Sequence, residues 1–381
     1  MTLDIRQPWT NQLQGSSGHE LVSVPARRLS TAKFAYTTRH LAEQVASQPE
    51  GYLLETDPGS RPGPGDVVLA EVTRLGQHPR LESPESRRAQ MYVGDEIVVA
   101  YGHRYAPDQF EAVVPQSLEP AHLVAAGGVV GLVTAAMQGM DQPTHVRPLG
   151  FLHDGQQRVS LATVAPHTPR SPMDLVGLRA LSDRPPVLAV VGTSMNSGKS
   201  TALASLAKGL TQAGIRVAAG KATGTGAGGD PGMYRDGGAG PVLDFTDFGH
   251  ASTYRLVHDD VVAVFASLVS ELSTSQCDAV LVEIADGLFQ TETANLLADP
   301  IFTELVDHVV FAAGESLSAV AAQAYLRQNN LPVVAVTGRL TSSPLALREA
   351  DAALDVPVLD TRLLLDPQVA LGLMPALKRA A

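Results

Sequence analysis

The stretch VVGTSMNSGKST, residues 190–201, lies between an apolar run that predicts a β-strand and a segment that predicts a helix. Glycines in such a turn let the backbone approach a bound anion, and the helix that follows presents free N–H groups and the positive end of its dipole. This context predicts a phosphate-binding loop. We expect Lys199 to reach the β- and γ-phosphates and Ser200 to hold Mg²⁺, with Thr201 as the alternative. The predicted nucleotide-binding residues are Gly192, Thr193, Asn196, Ser197, Gly198, Lys199, Ser200 and Thr201.

The chain around this loop alternates between apolar β runs and helical patterns. Strands are predicted at 186–192, 215–221, 279–285, 308–314, 332–338 and 356–361, and helices at 200–213, 258–272, 301–306, 316–328 and 344–353. Strands that are apolar on both sides and alternate with helices indicate a mainly parallel sheet covered on both faces. The fold predicted for residues 186–381 is therefore an α/β P-loop nucleotide-binding domain.

The chain before residue 186 has a different pattern. Short strands bounded by glycine and proline turns are predicted at 51–56, 110–114 and 158–164, and after the turns at Gly65-Asp66 and Gly94-Asp95. This pattern predicts a mainly-β, small barrel-like N-terminal domain over residues 1–170. The proline-rich segment 171–185 predicts a linker.

Composition narrows the class of protein. The chain has 381 residues, 44% of them hydrophobic and 18% charged, which is typical of a globular protein of two domains. No apolar run approaches the length of about 18 residues that predicts a membrane span. The single cysteine, Cys277, excludes a disulfide framework and a cysteine-cluster zinc site. The net charge of −11 gives no support to general nucleic-acid binding, although it leaves a local basic groove open. We expect a cytoplasmic protein.

The loop spacing is unusual, because five residues separate Gly192 from Gly198 where the common loop has four. This loop resembles that of the dethiobiotin synthetase-like branch of P-loop NTPases, which reads Gly-Thr, four residues, Gly-Lys. Two further motifs match: Lys221 opens the turn KATGTG, and Glu283 lies in VEIADG. The resemblance covers about residues 186–361. It implies ATP as the nucleotide, Glu283 as a Mg²⁺ ligand, a phosphate or substrate contact for Lys221, and a homodimer.

The chain also departs from that family. Ile284 and Asp286 replace two glycines of the acidic motif, which indicates an altered substrate side of the site. The segment Thr337-Gly338-Arg339 stands where the family has an asparagine near adenine. Ser194 stands where partitioning ATPases have their signature lysine, which disfavours that subclass.

Several acids are candidates for catalysis. Asp286 follows a strand, at the edge of a sheet where ligands collect, and is a candidate base or second metal ligand. The glycine-rich segment 222–254 predicts a long irregular lid or binding loop. Within it, Asp244 and Asp247 are candidates to orient or deprotonate an acceptor, and Arg235 to neutralise phosphate charge. A turn or helix-capping role is the alternative for each.

Taken together, these residues predict an ATP- and Mg²⁺-dependent phosphotransferase, a kinase acting on a hydroxyl-bearing, small-molecule acceptor. The predicted catalytic residues are Lys199, Lys221, Asp244, Asp247 and Asp286. Three alternatives remain open. The chain is also compatible with a ligase or carboxylase that uses an acyl-phosphate-type intermediate, with a nucleotide-switched accessory protein for cofactor or metal insertion, and with a kinase that acts on modified nucleic acid.

Overall fold

The computed structural model describes residues 12–14, 20–170 and 184–377. The linker expected at 171–185 lies outside the described residues except for its last two positions.

The chain forms two units, each with its own core. The first consists of Met1–Pro166 together with Thr225–Gly228 and Gly249–Ser252. The second consists of His167–Gly224, Gly229–Phe248 and Thr253–Ala381.

The first unit is mainly β, as the turn pattern predicts. Its strands are β1 (Gln12–Gln14), β2 (Glu20–Ser23), β3 (Lys33–Phe34), β4 (Leu53–Glu55), β5 (Val67–Arg74), β6 (Arg80–Glu82), β7 (Arg88–Gln90), β8 (Glu96–Tyr101), β9 (Arg104–Tyr105), β10 (Phe110–Val113), β11 (Ala121–Ala125), β12 (Val129–Ala136) and β13 (Thr144–His153). Its helices are α1 (Ala26–Thr31), α2 (Arg39–Ser47) and α3 (Leu161–Val164).

When the paired strands of this unit are followed one after another from β13, they lead back to β13. Among the described residues, β13 pairs with β5, β5 with β8, β8 with β12, β12 with β11, and β11 with β13. Alternate residues of β5 enter two different apolar clusters, Val67 and Leu69 in one, Val68 and Ala70 in the other. The two-residue period of a strand thus packs both faces of β5.

The prediction of a strand at 158–164 is wrong for most of these residues. Arg158 and Ser160 form isolated bridges, and the chain then turns into α3. The backbone N–H of Ser160 donates to the Thr163 hydroxyl at 3.1 Å. A local hydrogen bond of this kind competes with strand pairing and begins a helix instead.

The second unit is α/β. Its strands are β14 (Val187–Gly192), β15 (Val217–Lys221), β16 (Val242–Asp244), β17 (Ala279–Glu283), β18 (His308–Ala312) and β19 (Val333–Thr337). Its helices are α4 (Lys199–Gln212), α5 (Gly229–Asp236), α6 (His258–Ser273), α7 (Thr291–Ala298), α8 (Pro300–Leu305), α9 (Ser316–Gln328), α10 (Pro344–Ala353) and α11 (Pro367–Leu373).

Within residues 184–377 these strands form one parallel sheet in the order β16-β15-β17-β14-β18-β19. Both faces are covered. In β14, Val187, Ala189 and Val191 belong to one core cluster, whereas Leu188 and Val190 belong to the other. The predicted α/β architecture is therefore confirmed for this unit.

Two details of the predicted pattern are wrong. The segment 222–254 is not one irregular loop, because it contains α5, β16 and the 3-10 helix Phe245–Phe248. The strand expected at 356–361 is reduced to one parallel bridge, between Val336 and Val358.

Candidate functional site

The glycine-rich loop lies at the carboxyl edge of the parallel sheet. It joins β14, which is buried along its whole length, to the first turn of α4. From β14 the chain proceeds to β15 on one side of the sheet, whereas β18 pairs with β14 on the other side. Open α/β sheets bind ligands at such a switch in strand order. The strand, glycine-rich loop and helix thus have the arrangement of a P-loop.

Close approach and backbone conformation explain the residue types in this loop. A Cβ atom on Gly192 would lie 2.4 Å from Ser197 Oγ and 2.9 Å from the Ala312 carbonyl oxygen. Gly198 has φ +102°, in the left-handed region that favours glycine. Asn196 adopts φ 59°, which asparagine tolerates better than most residues. The loop therefore folds back tightly and delivers Lys199 to the start of α4.

A cleft of about 330 Å³ opens beside this loop. Its walls combine loop residues with residues from β15, α5 and the end of β17. They are Met195, Asn196, Gly198, Lys199, Ser200, Thr201, Lys221, Asp230, Met233, Glu283, Ala285 and Asp286.

Lys199 closes one end of the cleft. Its Nζ donates to the carbonyl oxygens of Ser194, at 2.9 Å, and Asp286, at 2.7 Å. The side chain is almost fully buried, and this burial lowers the pKa of Lys199, although the negative charges of Glu283 and Asp286 oppose the shift. Both hydrogen-bond acceptors are neutral, so a phosphate oxygen would be a stronger partner for this ammonium group.

Lys221, at the end of β15, lies between two carboxylates, one at the end of the neighbouring strand β17 and one on α5. The register of the sheet places Lys221 opposite Glu283, and its Nζ lies 3.7 Å from Glu283 Oε1. Lys221 also forms an ion pair with Asp230 of α5. Burial lowers the pKa of Lys221, but Asp230 and Glu283 outweigh burial, so the pKa is raised overall. Burial also raises the pKa of Asp230, but the charge and the hydrogen bond of Lys221 outweigh burial, so the pKa of Asp230 is lowered overall. The pair is therefore ionised on both sides.

Ser200 joins this network through α5. Its hydroxyl lies beside the side chains of Asp230 and Tyr234. The Tyr234 hydroxyl in turn donates to Glu283 Oε2 at 2.5 Å. Burial, and then the charge of Glu283, raises the pKa of Tyr234 well above its ordinary value, so this tyrosine is a protonated donor.

The oxygen atoms at this end of the cleft suit Mg²⁺. Ser200 contributes a hydroxyl, and Glu283 and Asp230 contribute carboxylates, which are the hard ligands that Mg²⁺ prefers. Among residues 20–170 and 184–377, three or more His, Cys, Asp or Glu residues do not cluster as a ready-made metal cage. A Mg²⁺ ion bound with nucleotide phosphates needs no more than one or two protein carboxylates. Ser200, Glu283 and Asp230 are therefore the residues that would hold it.

Some of the residues predicted from the sequence lie elsewhere. Asp244 and Asp247 are buried at the end of β16 and do not line the cleft. Asp244 Oδ1 accepts the backbone N–H of Thr246 at 2.7 Å, and Asp247 Oδ2 accepts that of Asp244 at 2.8 Å. These two acids shape their own turn. Arg235 lies on the exposed side of α5.

Three loop residues support the cleft without lining it. Gly192 ends β14, and the Thr193 N–H donates to the Ala312 carbonyl oxygen at 3.0 Å. The Ser197 carbonyl oxygen accepts the backbone N–H of Arg339 at 2.8 Å.

Sequence reasoning missed the contribution of α5. Asp230 and Tyr234 are four residues apart, which is one helical turn, and both side chains reach the network around Ser200. The spacing was visible in the sequence, but Gly229, Pro231 and Gly232 obscure the helix.

No helix in the described part of the chain is long and apolar enough to span a membrane.

Comparisons with known proteins give weak likenesses. The chain matches no family model and no curated protein. Among solved structures, it is similar to the signal recognition particle receptor FtsY from Elizabethkingia anophelis, with 18% identity, a TM-score of 0.34, and coverage of 49% of this chain and 63% of that one. The Signal Recognition Particle 54 kDa protein from Aeropyrum pernix K1 in complex with GDP gives 15% identity, a TM-score of 0.33, and coverage of 52% and 50%.

A third similar structure is the septum site-determining protein MinD from Pyrococcus horikoshii OT3, complexed with Mg-ADP. It gives 13% identity, a TM-score of 0.33, and coverage of 51% of this chain and 96% of that one. The chain thus spans less than two thirds of the length of the first two proteins. Likenesses at this level transfer no function, and the relationship to dethiobiotin synthetase stays a prediction.

Proposed function

We propose that this chain binds MgATP in the cleft beside residues 192–201 and transfers the γ-phosphoryl group to a hydroxyl of a small molecule. The observation that supports this proposal is the composition of the cleft. Lys199 and Ser200 at the start of α4 share it with the carboxylates of Asp230, Glu283 and Asp286. These are the groups that a phosphoryl transfer requires for charge neutralisation, metal binding and proton removal.

Lys199 binds the phosphates in this proposal. An incoming phosphate replaces the neutral carbonyl oxygens of Ser194 and Asp286 as its acceptor. A bound anion offsets the cost of burying the ammonium group, and it therefore opposes the lowering of the pKa of Lys199. The backbone N–H groups at the start of α4 bind the same oxygens.

Ser200, Glu283 and Asp230 hold the metal. When bound, Mg²⁺ offsets the negative charge that develops on the transferring group. Lys221 keeps the two carboxylates ionised and close together, because its ammonium group lies between them. Without that cation, the neighbouring carboxylates of Asp230 and Glu283 would repel each other, which would favour the uptake of a proton by one of them.

Asp286 serves as the base. Asp286 lines the cleft, its backbone carbonyl oxygen accepts from Lys199, and the charge of its carboxylate acts on the same lysine, so the carboxylate lies near the phosphate-binding group. Asp244 and Asp247 are less suited to this role, because their carboxylates are hydrogen-bonded within a buried turn. The carboxylate of Asp286 accepts the proton of the acceptor hydroxyl as the phosphoryl group is transferred.

The test is a mass-spectrometric screen of the full chain with ATP or GTP and Mg²⁺ against pooled metabolites and oligonucleotides. A component that gains one phosphoryl group supports the kinase and gives the class of its acceptor. A condensed or carboxylated product would replace it by the ligase. Nucleotide hydrolysis without a modified component would instead favour a nucleotide-switched accessory protein.

We also propose a cytoplasmic homodimer. The dimer rests on the resemblance of the loop motifs, and the compartment rests on the single cysteine. Light scattering of the purified chain, with and without MgATP, tests the dimer. A monomer in both conditions would remove it.

A further inference from the structure

Tyr234 lies under the cleft and is fully buried, but it does not line the cleft. Its ring belongs to the apolar core on the α4 side of the sheet. A buried tyrosine hydroxyl needs a hydrogen-bond partner, and this one donates to Glu283 and lies beside Ser200. Packing in the core explains the ring, whereas it does not explain the hydroxyl, since phenylalanine would fill the same space.

The two oxygens of the Glu283 carboxylate have different neighbours. Oε2 accepts from the Tyr234 hydroxyl at 2.5 Å, and Oε1 lies 3.7 Å from Lys221 Nζ at the cleft. Glu283 is 1% exposed, so few solvent molecules can hold the carboxylate in place. The Tyr234 hydroxyl therefore fixes one oxygen and directs the other toward the cleft.

One helical turn connects this tyrosine to the rest of the metal-binding groups. Asp230 and Tyr234 both project from α5, and each lies beside the Ser200 side chain. Tyr234 thus contacts two of the three residues that would hold Mg²⁺, while it remains outside the cleft itself.

We infer that Tyr234 is a positioning residue for the metal site, which orients Glu283 and Ser200 for a divalent cation bound with the nucleotide. This inference rests on the proposed function. Loss of the hydroxyl leaves a carboxylate that is free to rotate. Because a hydrogen bond to a charged group is strong, we expect its removal to lower the affinity for the metal by about tenfold.

The experiment measures Mn²⁺ binding by electron paramagnetic resonance in the full chain with a non-hydrolysable ATP analogue. We expect Tyr234→Phe to weaken Mn²⁺ binding about tenfold. We expect its affinity for the analogue in the presence of EDTA to equal that of the wild type. Tyr101→Phe is the matched control, because Tyr101 is also fully buried and its hydroxyl has no hydrogen-bond partner in the described part of the chain.

A double-mutant cycle separates positioning from a structural effect. In a Glu283→Gln chain, adding Tyr234→Phe should change Mn²⁺ affinity much less than it does in the wild type. An effect of equal size in both backgrounds would overturn the inference. So would wild-type Mn²⁺ affinity in Tyr234→Phe, an equal loss of analogue affinity without metal, or a variant that does not fold. If the wild-type chain binds Mn²⁺ no better with the analogue than without it, the proposed function fails first.

Discussion

Lys199 is the residue on which the proposed function depends most directly. Its ammonium group is held at the cleft by two carbonyl oxygens, and its first helical turn follows Gly198. We expect Lys199→Ala to abolish phosphoryl transfer and to weaken nucleotide binding, because Lys221, the other lysine that lines the cleft, is already paired with Asp230 and Glu283. Turnover against the identified acceptor checks this, with circular dichroism as the control for folding. Normal turnover would remove the central claim.

Asp286 tests the identity of the base. The change Asp286→Asn keeps the shape of the side chain and its backbone carbonyl, which accepts from Lys199. We expect kcat to fall by about 10²-fold or more, while the affinity for ATP changes little. Steady-state kinetics and a direct ATP-binding measurement separate the two effects. An equal loss of both would assign Asp286 to metal binding.

His78 gives the N-terminal unit a pH dependence of stability. Its Nε2 lies 3.0 Å from the Val124 carbonyl oxygen and 3.1 Å from Arg104 Nη1. Burial, and then the charge of Arg104, lowers the pKa of His78 from 6.5 to about 4. The unfolded chain therefore binds a proton before the folded chain does, so the free energy of unfolding falls as the pH drops from about 6.5 to about 4.

The size of this effect follows from the shift in pKa. At a pH of about 4.5 the loss of stability is about 2 to 3 kcal/mol. Urea unfolding of the wild type and of His78→Gln, followed from about pH 7.5 downward, measures it. The difference in stability between the two chains should shrink as the pH falls. A constant difference would show that His78 is not the group responsible.

At the scale of the element, the segment after β19 supports the phosphate-binding loop. Gly338 has φ +99°, and a Cβ atom there would lie 2.5 Å from the Ser197 carbonyl oxygen and 2.8 Å from Ala313 N. The next residue, Arg339, donates its N–H to the same Ser197 oxygen at 2.8 Å. Gly338→Ala must therefore displace the loop backbone. We expect nucleotide affinity to fall by about tenfold or more, because the loop must move and because the backbone conformation of Gly338, with φ 99° and ψ −162°, costs any other residue about 1–3 kcal/mol.

Titration with a fluorescent nucleotide analogue measures this loss. Gly372→Ala is the control, because a Cβ atom at this position of α11 meets open space. Alanine is the better helix former, so this control should bind nucleotide normally and be slightly more stable. Equal affinity of the two variants would show that the segment after β19 does not support the loop.

Elements with strong periodicity could be predicted from the sequence, and α5 could not. The helix predicted at 316–328 coincides with α9, and the one at 258–272 ends one residue before α6 does. In contrast, α5 reads GDPGMYRD, whose glycines and proline are poor helix formers. Burial of Pro231 and Tyr234 stabilises it instead, which local pattern does not reveal.

The same limit applies to the candidate site. Lys199, Ser200, Lys221 and Glu283 follow strands or open a helix, so their convergence at one sheet edge follows from the fold. Asp244 also lies at a strand end, directly opposite Lys221 in the sheet. Its carboxylate nevertheless accepts a hydrogen bond within its own turn and does not enter the cleft. Position at a strand end predicts the neighbourhood of a site, whereas hydrogen bonds decide which side chains enter it.

At the scale of the whole molecule, the order of the strands lies beyond local pattern. Alternating strands and helices predict a parallel sheet, but they do not predict that β14 pairs with β17 and β18. Nor do turn signals show that β3 and β12 both run parallel to β8. These pairings join distant residues, and they depend on the packing of the complete chain.

The N-terminal unit also contains residues from far along the chain. Ala251 is 3% exposed and belongs to its apolar core, and the Gly226 N–H donates to the Ala251 carbonyl oxygen at 2.9 Å. The buried carboxylate of Glu82 accepts the N–H of Gly228 at 2.8 Å. A fragment of residues 1–166 contains Glu82 but lacks Gly226, Gly228 and Ala251. It should therefore be less stable than the same strands are in the full chain.

Hydrogen exchange of the β8 and β12 amides, measured in the fragment and in the full chain, tests this expectation. A buried hydrogen-bond acceptor that loses its donor typically costs a protein about 1–3 kcal/mol of stability. Amide hydrogen exchange in the fragment should therefore be faster by about tenfold or more. In the full chain, Glu82→Ala should accelerate exchange at the same amides, because it leaves the Gly228 N–H without this acceptor. Glu85→Ala on the same hairpin connection is the control, since Glu85 is exposed. Equal protection in the fragment and the full chain would show that residues 1–166 fold without the two later segments.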